Sequence, residues 1–158
     1  MISKKTILGL INNRMTELDN GLFLVSLSTT PSNDIRVEID KDEGGVSVDD
    51  CVSVSRNIEH NLDREKEDFN IVVSSAGLDK GLRVFLQYKK NVGRDVKVKL
   101  KKGERISGKM IMATPGEIRI QSIEKKRIEG KKKKEKVMQE HNIKMEEIQE
   151  TKVVVSFK

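Results

Sequence analysis

The chain has 158 residues, of which 35% are hydrophobic and 35% are charged, and its formal net charge is +6. This length allows one domain or two small ones, and no apolar run is long enough to span a bilayer. The single cysteine, Cys51, excludes an internal disulfide, and the two distant histidines argue against a zinc site. We therefore expect a cytoplasmic protein without a metal or a cofactor.

The charge changes sign along the chain. Residues 1–82 contain 9 Lys and Arg against 15 Asp and Glu, whereas residues 83–158 contain 22 against 10. This asymmetry predicts two domains with different partners, an acidic one over 1–82 and a basic one over 83–158. An acidic surface repels phosphate and suits a basic protein, while a basic surface attracts nucleic acid.

Apolar periodicity predicts the elements of the acidic half. A segment with apolar residues at helical spacing is followed by two segments with the pattern of strands. A second helical segment is then followed by one strand. Ser47 and Asp50 have the spacing of a capping box at the start of the second helix. The predicted elements are helices at 4–18 and 47–62 and strands at 22–28, 35–40 and 69–73. The first two strands should form an antiparallel hairpin, so the order α-β-β-α-β predicts helices packed on one face of a small sheet.

The basic half is predicted to be mostly strands. A short helix should end near Gly93, and a further helical turn is predicted within residues 137–148. Alternation and tight turns predict strands at 96–101, 105–113, 117–123 and 152–157. Such a set of short strands is typical of a small SH3-like or Sm-like β-barrel. The predicted fold class is therefore α+β, with a two-layer domain followed by this barrel.

Residues 124–136 form a lysine-rich run that we interpret as a long, mobile loop between barrel strands. Together with cations on the predicted strands, it suggests an RNA-binding surface, because Lys side chains suit phosphate contacts. The candidate residues are Lys97, Lys99, Arg105, Lys125, Lys126, Arg127, Lys131, Lys132, Lys133 and Lys134. The alternatives are a solvated loop without a partner and a nuclear localisation signal.

Stacking on bases and catalysis both have little support in the sequence. The chain has four Phe, one Tyr and no Trp, and it shows neither the aromatic strand motif of RRM domains nor a GxxG clamp. No nucleophile elbow surrounds Ser74 and Ser75, and Gly44-Gly45 lacks the Lys-Ser/Thr of a phosphate loop. We expect RNA contacts through backbone and shape, and no enzymatic activity.

Two stretches carry a more specific signal. The first is Asp50-Cys51-Val52-Ser53-Val54-Ser55-Arg56, and the second is Ser74-Ser75-Ala76-Gly77-Leu78-Asp79, which follows the third strand. In this order and at about this separation, they resemble the central helix and the Ser-Ser-Pro-Gly-Leu-Asp loop of the bacterial ribosome maturation factor RimP family. The family's loop usually continues Asp-Arg-Pro-Leu, whereas this chain reads Asp79-Lys80-Gly81-Leu82. The loss of both prolines should make the loop less rigid.

The resemblance implies a non-enzymatic assembly factor that binds immature small (30S) ribosomal subunits and assists their late maturation. It implies 16S rRNA and the twelfth small-subunit ribosomal protein as partners, with the barrel contacting that protein. Charge alone would instead place the acidic domain on the basic protein, so the assignment stays open. The interdomain loop is predicted to set the angle between the domains, and it comprises Ser74, Ser75, Ala76, Gly77, Leu78, Asp79, Lys80 and Gly81.

Two further alternatives stay open. Arg56 is either an RNA contact or the partner of Glu59 or Asp63 on its own helix. The chain as a whole is either a monomeric assembly factor or a free-standing Sm-like regulator of small RNAs. The regulator would form a ring oligomer through barrel edges, so gel filtration distinguishes the two.

Overall fold

The computed structural model describes residues 1–127 and 134–154. The chain divides into two compact units, Met1–Ala76 and Gly77–Lys158, so the division falls six residues before the boundary predicted at 82. The first unit holds 8 Lys and Arg against 14 Asp and Glu, and the second holds 23 against 11. The change of charge therefore coincides with the change of unit.

The first unit has the predicted order of elements. They are α1 (Lys4–Leu18), β1 (Leu22–Thr29), β2 (Asp34–Lys41), α2 (Val48–His60) and β3 (Asn70–Ser75). Strand β2 is central, and it pairs antiparallel with β1 and parallel with β3. The predicted hairpin is confirmed, and α2 supplies the crossover that a parallel pair requires.

The core of the first unit lies between the helices and one face of the sheet. Ile7 and Ile11 from α1 and Val54 and Ile58 from α2 are fully buried, and they pack with alternate residues of β2. Helical spacing of 3–4 residues and strand spacing of two place these side chains on facing surfaces. Periodicity predicted the buried stripe of α1, but on α2 it placed Val48 and Val52 on the buried face, where both are exposed, and it missed the buried Val54.

The predicted capping box at the start of α2 is confirmed. The Asp50 backbone N–H donates to Ser47 Oγ at 3.0 Å, and the Ser47 backbone N–H donates to Asp50 Oδ2 at 2.9 Å. The second of these bonds is the main cause that lowers the pKa of Asp50 below its usual value. Asn20 Nδ2 also donates to Asp50 Oδ1 at 3.1 Å, which ties the helix start to the turn before β1.

Replacing Asp50 by alanine is expected to lower the free energy of unfolding by about 1–2 kcal/mol at pH 7, because a buried cap is lost. A lowered carboxyl pKa stabilises the fold above the unfolded pKa, and this contribution disappears as the pH falls through the lower folded value. The difference between wild type and Asp50→Ala should therefore shrink in urea titrations below about pH 4. Exposed Asp49 is the matched control, and an equal loss in Asp49→Ala would contradict the account.

The described residues of the second unit form one short helix and five strands. These elements are α3 (Phe85–Lys90), β4 (Asp95–Leu100), β5 (Arg105–Ala113), β6 (Glu117–Arg127), β7 (Lys134–Lys144) and β8 (Ile148–Val153). Short 3₁₀ turns at Leu78–Lys80 and Met145–Glu147 precede α3 and β8. All neighbouring strands are antiparallel, in the order β7-β6-β5-β4-β8.

The helical turn predicted within residues 137–148 is present at Met145–Glu147, while residues 137–144 belong to β7. Two other expectations for the second unit need correction. The predicted barrel is not closed: within the described residues the strands form an open sheet with β7 and β8 at its edges. The last strand starts at Ile148 rather than 152, and residues 155–157 of the prediction lie outside the described part. These errors share one cause, because strand pairing between distant segments decides each of them.

The core of the second unit covers the inner face of this sheet. Val96, Val98 and Leu100 alternate along β4 and are buried against residues of β5, β6 and α3. Tyr88 of α3 donates from its hydroxyl to Thr151 Oγ1 at 2.9 Å, and both residues are buried. This bond attaches α3 to β8, so the helix covers the inner face of the sheet near that edge strand.

Candidate nucleic-acid interface

The outer face of β4 carries two of the predicted cations. Lys97 and Lys99 alternate with the buried Val96, Val98 and Leu100, so their side chains lie on the opposite face of the sheet. Lys97 is exposed and Lys99 is half-buried. The alternation that builds the core therefore also displays these two amines.

The register brings more cations to the same face. Lys97 lies between Ser107 of β5 and Lys152 of β8, and Lys99 lies between Arg105 of β5 and Glu150 of β8. Neighbouring strands are about 4.8 Å apart, so these side chains fit within a patch about 10 Å wide. We call the four basic residues Lys97, Lys99, Arg105 and Lys152 the cationic row.

The cationic row lines a groove of about 290 Å³, together with Ser107, Gln149 and Glu150. Lys152 Nζ lies 3.6 Å from Glu150 Oε1, so one anion partly balances the four cations. Like charges directly opposite each other on neighbouring strands destabilise a sheet. Repulsion within the cationic row therefore destabilises the folded state. A polyanion bound in the groove would reduce this repulsion.

The structure brings together three of the predicted contacts and adds one. Lys97, Lys99 and Arg105 lie side by side, as described above. Lys152 was missed, because its strand was predicted but its pairing with β4 depends on contacts over more than 50 residues. The one local signal was alternation along the strand, because the neighbour of the buried Thr151 must point to the other face of the sheet.

Both ends of the lysine-rich run, which were predicted to be part of a loop, belong to strands. Strand β6 extends to Arg127 and β7 begins at Lys134, with these two residues paired in register. Lys125 and Lys126 therefore lie in β6, opposite Lys136 and Glu135. Lys131, Lys132 and Lys133 lie outside the described residues, as does the centre of the predicted loop. Continuous antiparallel pairing stabilises the two ends of this run as strands despite its charge.

The predicted interdomain loop contains more regular structure than expected. Ser74 and Ser75 end β3, and Leu78, Asp79 and Lys80 form a 3₁₀ turn. Gly81 has φ 81°, and a Cβ there would lie 3.0 Å from the Thr151 carbonyl oxygen. Proline fixes φ near −65°, so the proline usual in the family could not occupy this position without a change of backbone. The glycine is thus explained by its conformation.

Arg56 lies on the exposed face of α2. One of its two predicted partners, Glu59, pairs instead with Arg64, whose Nη2 lies 3.1 Å from Glu59 Oε1. Arg64 also stacks over the Phe69 ring at 4.1 Å. A contact between Arg56 and RNA stays a prediction.

The described part of the chain has no group of three or more His, Cys, Asp or Glu side chains placed to hold a metal ion. Among the same residues, no helix is long and apolar enough to cross a membrane. The groove lined by the cationic row is the candidate functional site.

The chain is an α+β protein of two units, the second of which displays a cationic row on an open sheet. A family model described as the RimP N-terminal domain matches residues 10–79. A ribosome maturation factor RimP from Flavobacterium psychrophilum is 36% identical over 159 residues, which cover 99% of this chain and 100% of that protein. The chain belongs to the RimP family.

Two other relatives named ribosome maturation factor RimP agree with this assignment. The protein from Christiangramia forsetii is 46% identical over 107 residues, covering 68% of this chain and 69% of that protein. The protein from Porphyromonas gingivalis ATCC 33277 is 32% identical over 150 residues, covering 95% and 97%. The resemblance inferred from two short motifs therefore extends along the whole chain.

Proposed function

We propose that this protein is a ribosome maturation factor that binds immature small (30S) subunits and assists their late assembly without catalysis. Membership of a family whose relatives are named ribosome maturation factors is the observation that carries this proposal. The proposed site of action is the cytoplasm, where subunits assemble, and the proposed active form is a monomer.

The proposed contact with 16S rRNA is made by the second unit. The cationic row supplies positive charge on one face of the sheet. The lysine-rich run adds Lys125, Lys126, Arg127 and Lys131 to Lys134. Phosphate contacts of this kind release counterions and fix position without reading sequence.

The proposed protein partner is the twelfth small-subunit ribosomal protein. The first unit has six more acidic than basic residues, so its surface suits a basic protein. The family resemblance instead implies contact through the second unit. The short segment from Ser74 to Gly81 is proposed to set the angle between the units.

Binding to purified subunits tests the proposal directly. We expect the tagged protein to pellet with small subunits stripped of late-binding proteins, and only weakly with large subunits, at 100 mM salt. Stripped subunits mimic an assembly intermediate, and large subunits control for non-specific attraction to rRNA. Equal pelleting with both would contradict specific action on the small subunit.

A further inference from the structure

Among the described residues, the outer part of the β6–β7 hairpin pairs with no third strand. Pairing between β5 and β6 stops at Lys109 and Gln121, whereas pairing between β6 and β7 continues to Arg127 and Lys134. Residues 122–127 and 134–139 therefore form a two-stranded extension, which we call the β6–β7 ribbon. None of its described residues belongs to the core of the second unit.

The ribbon displays an apolar pair. Ile123 and Met138 are direct cross-strand neighbours, and they are 65% and 61% exposed. Gln121 Nε2 donates to Met138 Sδ at 2.8 Å, so the methionine lies on the same face as Gln121 and Ile123. Burying apolar side chains such as these stabilises a protein, and the exposed pair contributes little of that stabilisation to this fold. A partner that covers Ile123 and Met138 would gain binding free energy from burying them.

The surroundings of the pair are cationic. Exposed Lys136 lies two residues before Met138 and so on the same face. In sequence, the ribbon contains 5 Lys and Arg against 2 Glu. A suitable partner therefore combines dense negative charge with apolar surface at a spacing of a few ångströms. Nucleic acid has this combination, because its phosphates flank riboses and bases.

The shape and composition of the ribbon favour a double helix over a single strand. Single strands are bound largely by stacking bases on aromatic rings, and the ribbon contains no Phe, Tyr or Trp. Double-stranded RNA presents a wide, shallow minor groove bordered by phosphates and lined with riboses. A two-stranded ribbon with a small apolar pair fits such a surface.

We propose that the β6–β7 ribbon docks on the minor groove of double-helical RNA, with Ile123 and Met138 packed against the sugars and the lysines on the phosphates. This inference rests on the proposed function, since it names the form of rRNA that the second unit contacts. Exposed Glu140, the cross-strand partner of Gln121, lies close to the pair, and its negative charge would repel a nearby phosphate.

Fluorescence anisotropy with the full-length protein tests the inference. The probes are a labelled 16-base-pair RNA hairpin and a single-stranded RNA of equal length. The variant Ile123→Thr/Met138→Thr removes apolar surface while keeping good strand formers. We expect it to weaken hairpin binding about tenfold and to leave the slope of log K against log salt unchanged, since no phosphate contact is lost.

The control is Val92→Thr/Val154→Thr, which changes two exposed valines outside the ribbon. It should bind the hairpin within twofold of wild type, and urea unfolding should be alike for all three proteins. Three results would overturn the inference: wild-type affinity in the ribbon variant, an equal loss in the control, or wild-type binding to the single strand as tight as to the hairpin. If wild type still pellets selectively with small subunits, only the ribbon contact is refuted.

Discussion

Replacing Lys97, Lys99 and Arg105 together by glutamine is expected to weaken binding to small subunits about 10- to 100-fold near physiological salt. In the proposed interface each side chain neutralises one phosphate, and each lost contact lowers the slope of log K against log salt by about 0.7–0.9. The triple variant should therefore show a slope smaller by about 2–3. A salt titration of pelleting with purified subunits measures both quantities.

The matched control changes the same amount of charge elsewhere. Lys4, Lys5 and Lys66 are exposed on the acidic first unit, so replacing them by glutamine also removes three positive charges. If the cationic row binds rRNA, this control keeps nearly the wild-type slope. An equal loss in both triple variants would show that net charge alone governs binding, and the row would not be the interface.

The cationic-row variant should also fold at least as well as wild type. Lys97 faces Lys152 and Lys99 faces Arg105, so neutralisation removes like-charge pairs worth a few tenths of a kcal/mol each. Loss of binding together with unchanged or higher stability indicates that these residues serve a ligand. Loss of both would indicate a structural role.

Replacing Gly108 by valine is expected to destabilise the second unit by about 3 kcal/mol or more. A Cβ at this position would overlap the Gln121 carbonyl oxygen and lie 2.8 Å from Ile120 Cγ2. Gln121 belongs to the neighbouring strand β6, so β5 and β6 would have to separate near their bulge at Met110–Met112. Equilibrium unfolding in urea, followed by circular dichroism, measures the loss.

The contrasting control is Gly9→Ala. Gly9 lies in the exposed middle of α1, and a Cβ there would meet nothing within 4 Å. Alanine is favoured over glycine in a helix interior by about 1 kcal/mol, so this variant should be more stable than wild type. A Gly108→Val protein with wild-type stability would contradict the close approach of β5 and β6.

The first unit was predictable from sequence because its signals are local. The helical spacing of Ile7 and Ile11, the alternation of Ile35, Val37 and Ile39, and the Ser47 cap each act within a few residues. The parallel pairing of β2 and β3 then follows from the helix between them. The buried face of α2 was the exception, because Val54 rather than Val52 packs in the core.

The second unit was less predictable because its form depends on distant pairing. The lysine-rich run has the composition of a loop, yet both of its ends are held as strands by the register that begins at Glu117 and Lys144. Lys152 and Met138 gain their positions from pairing across the sheet. Composition identified the sign of the surface, but only the register shows which cations share a face.

Sedimentation of the tagged protein in a lysate of its own bacterium tests the central proposal most directly. We expect the protein to migrate with free and precursor small subunits in a sucrose gradient and to be absent from 70S ribosomes and polysomes. The cationic-row variant should move towards the top of the same gradient. A wild-type protein found only at the top, at low as well as high salt, would contradict the assignment to small-subunit maturation.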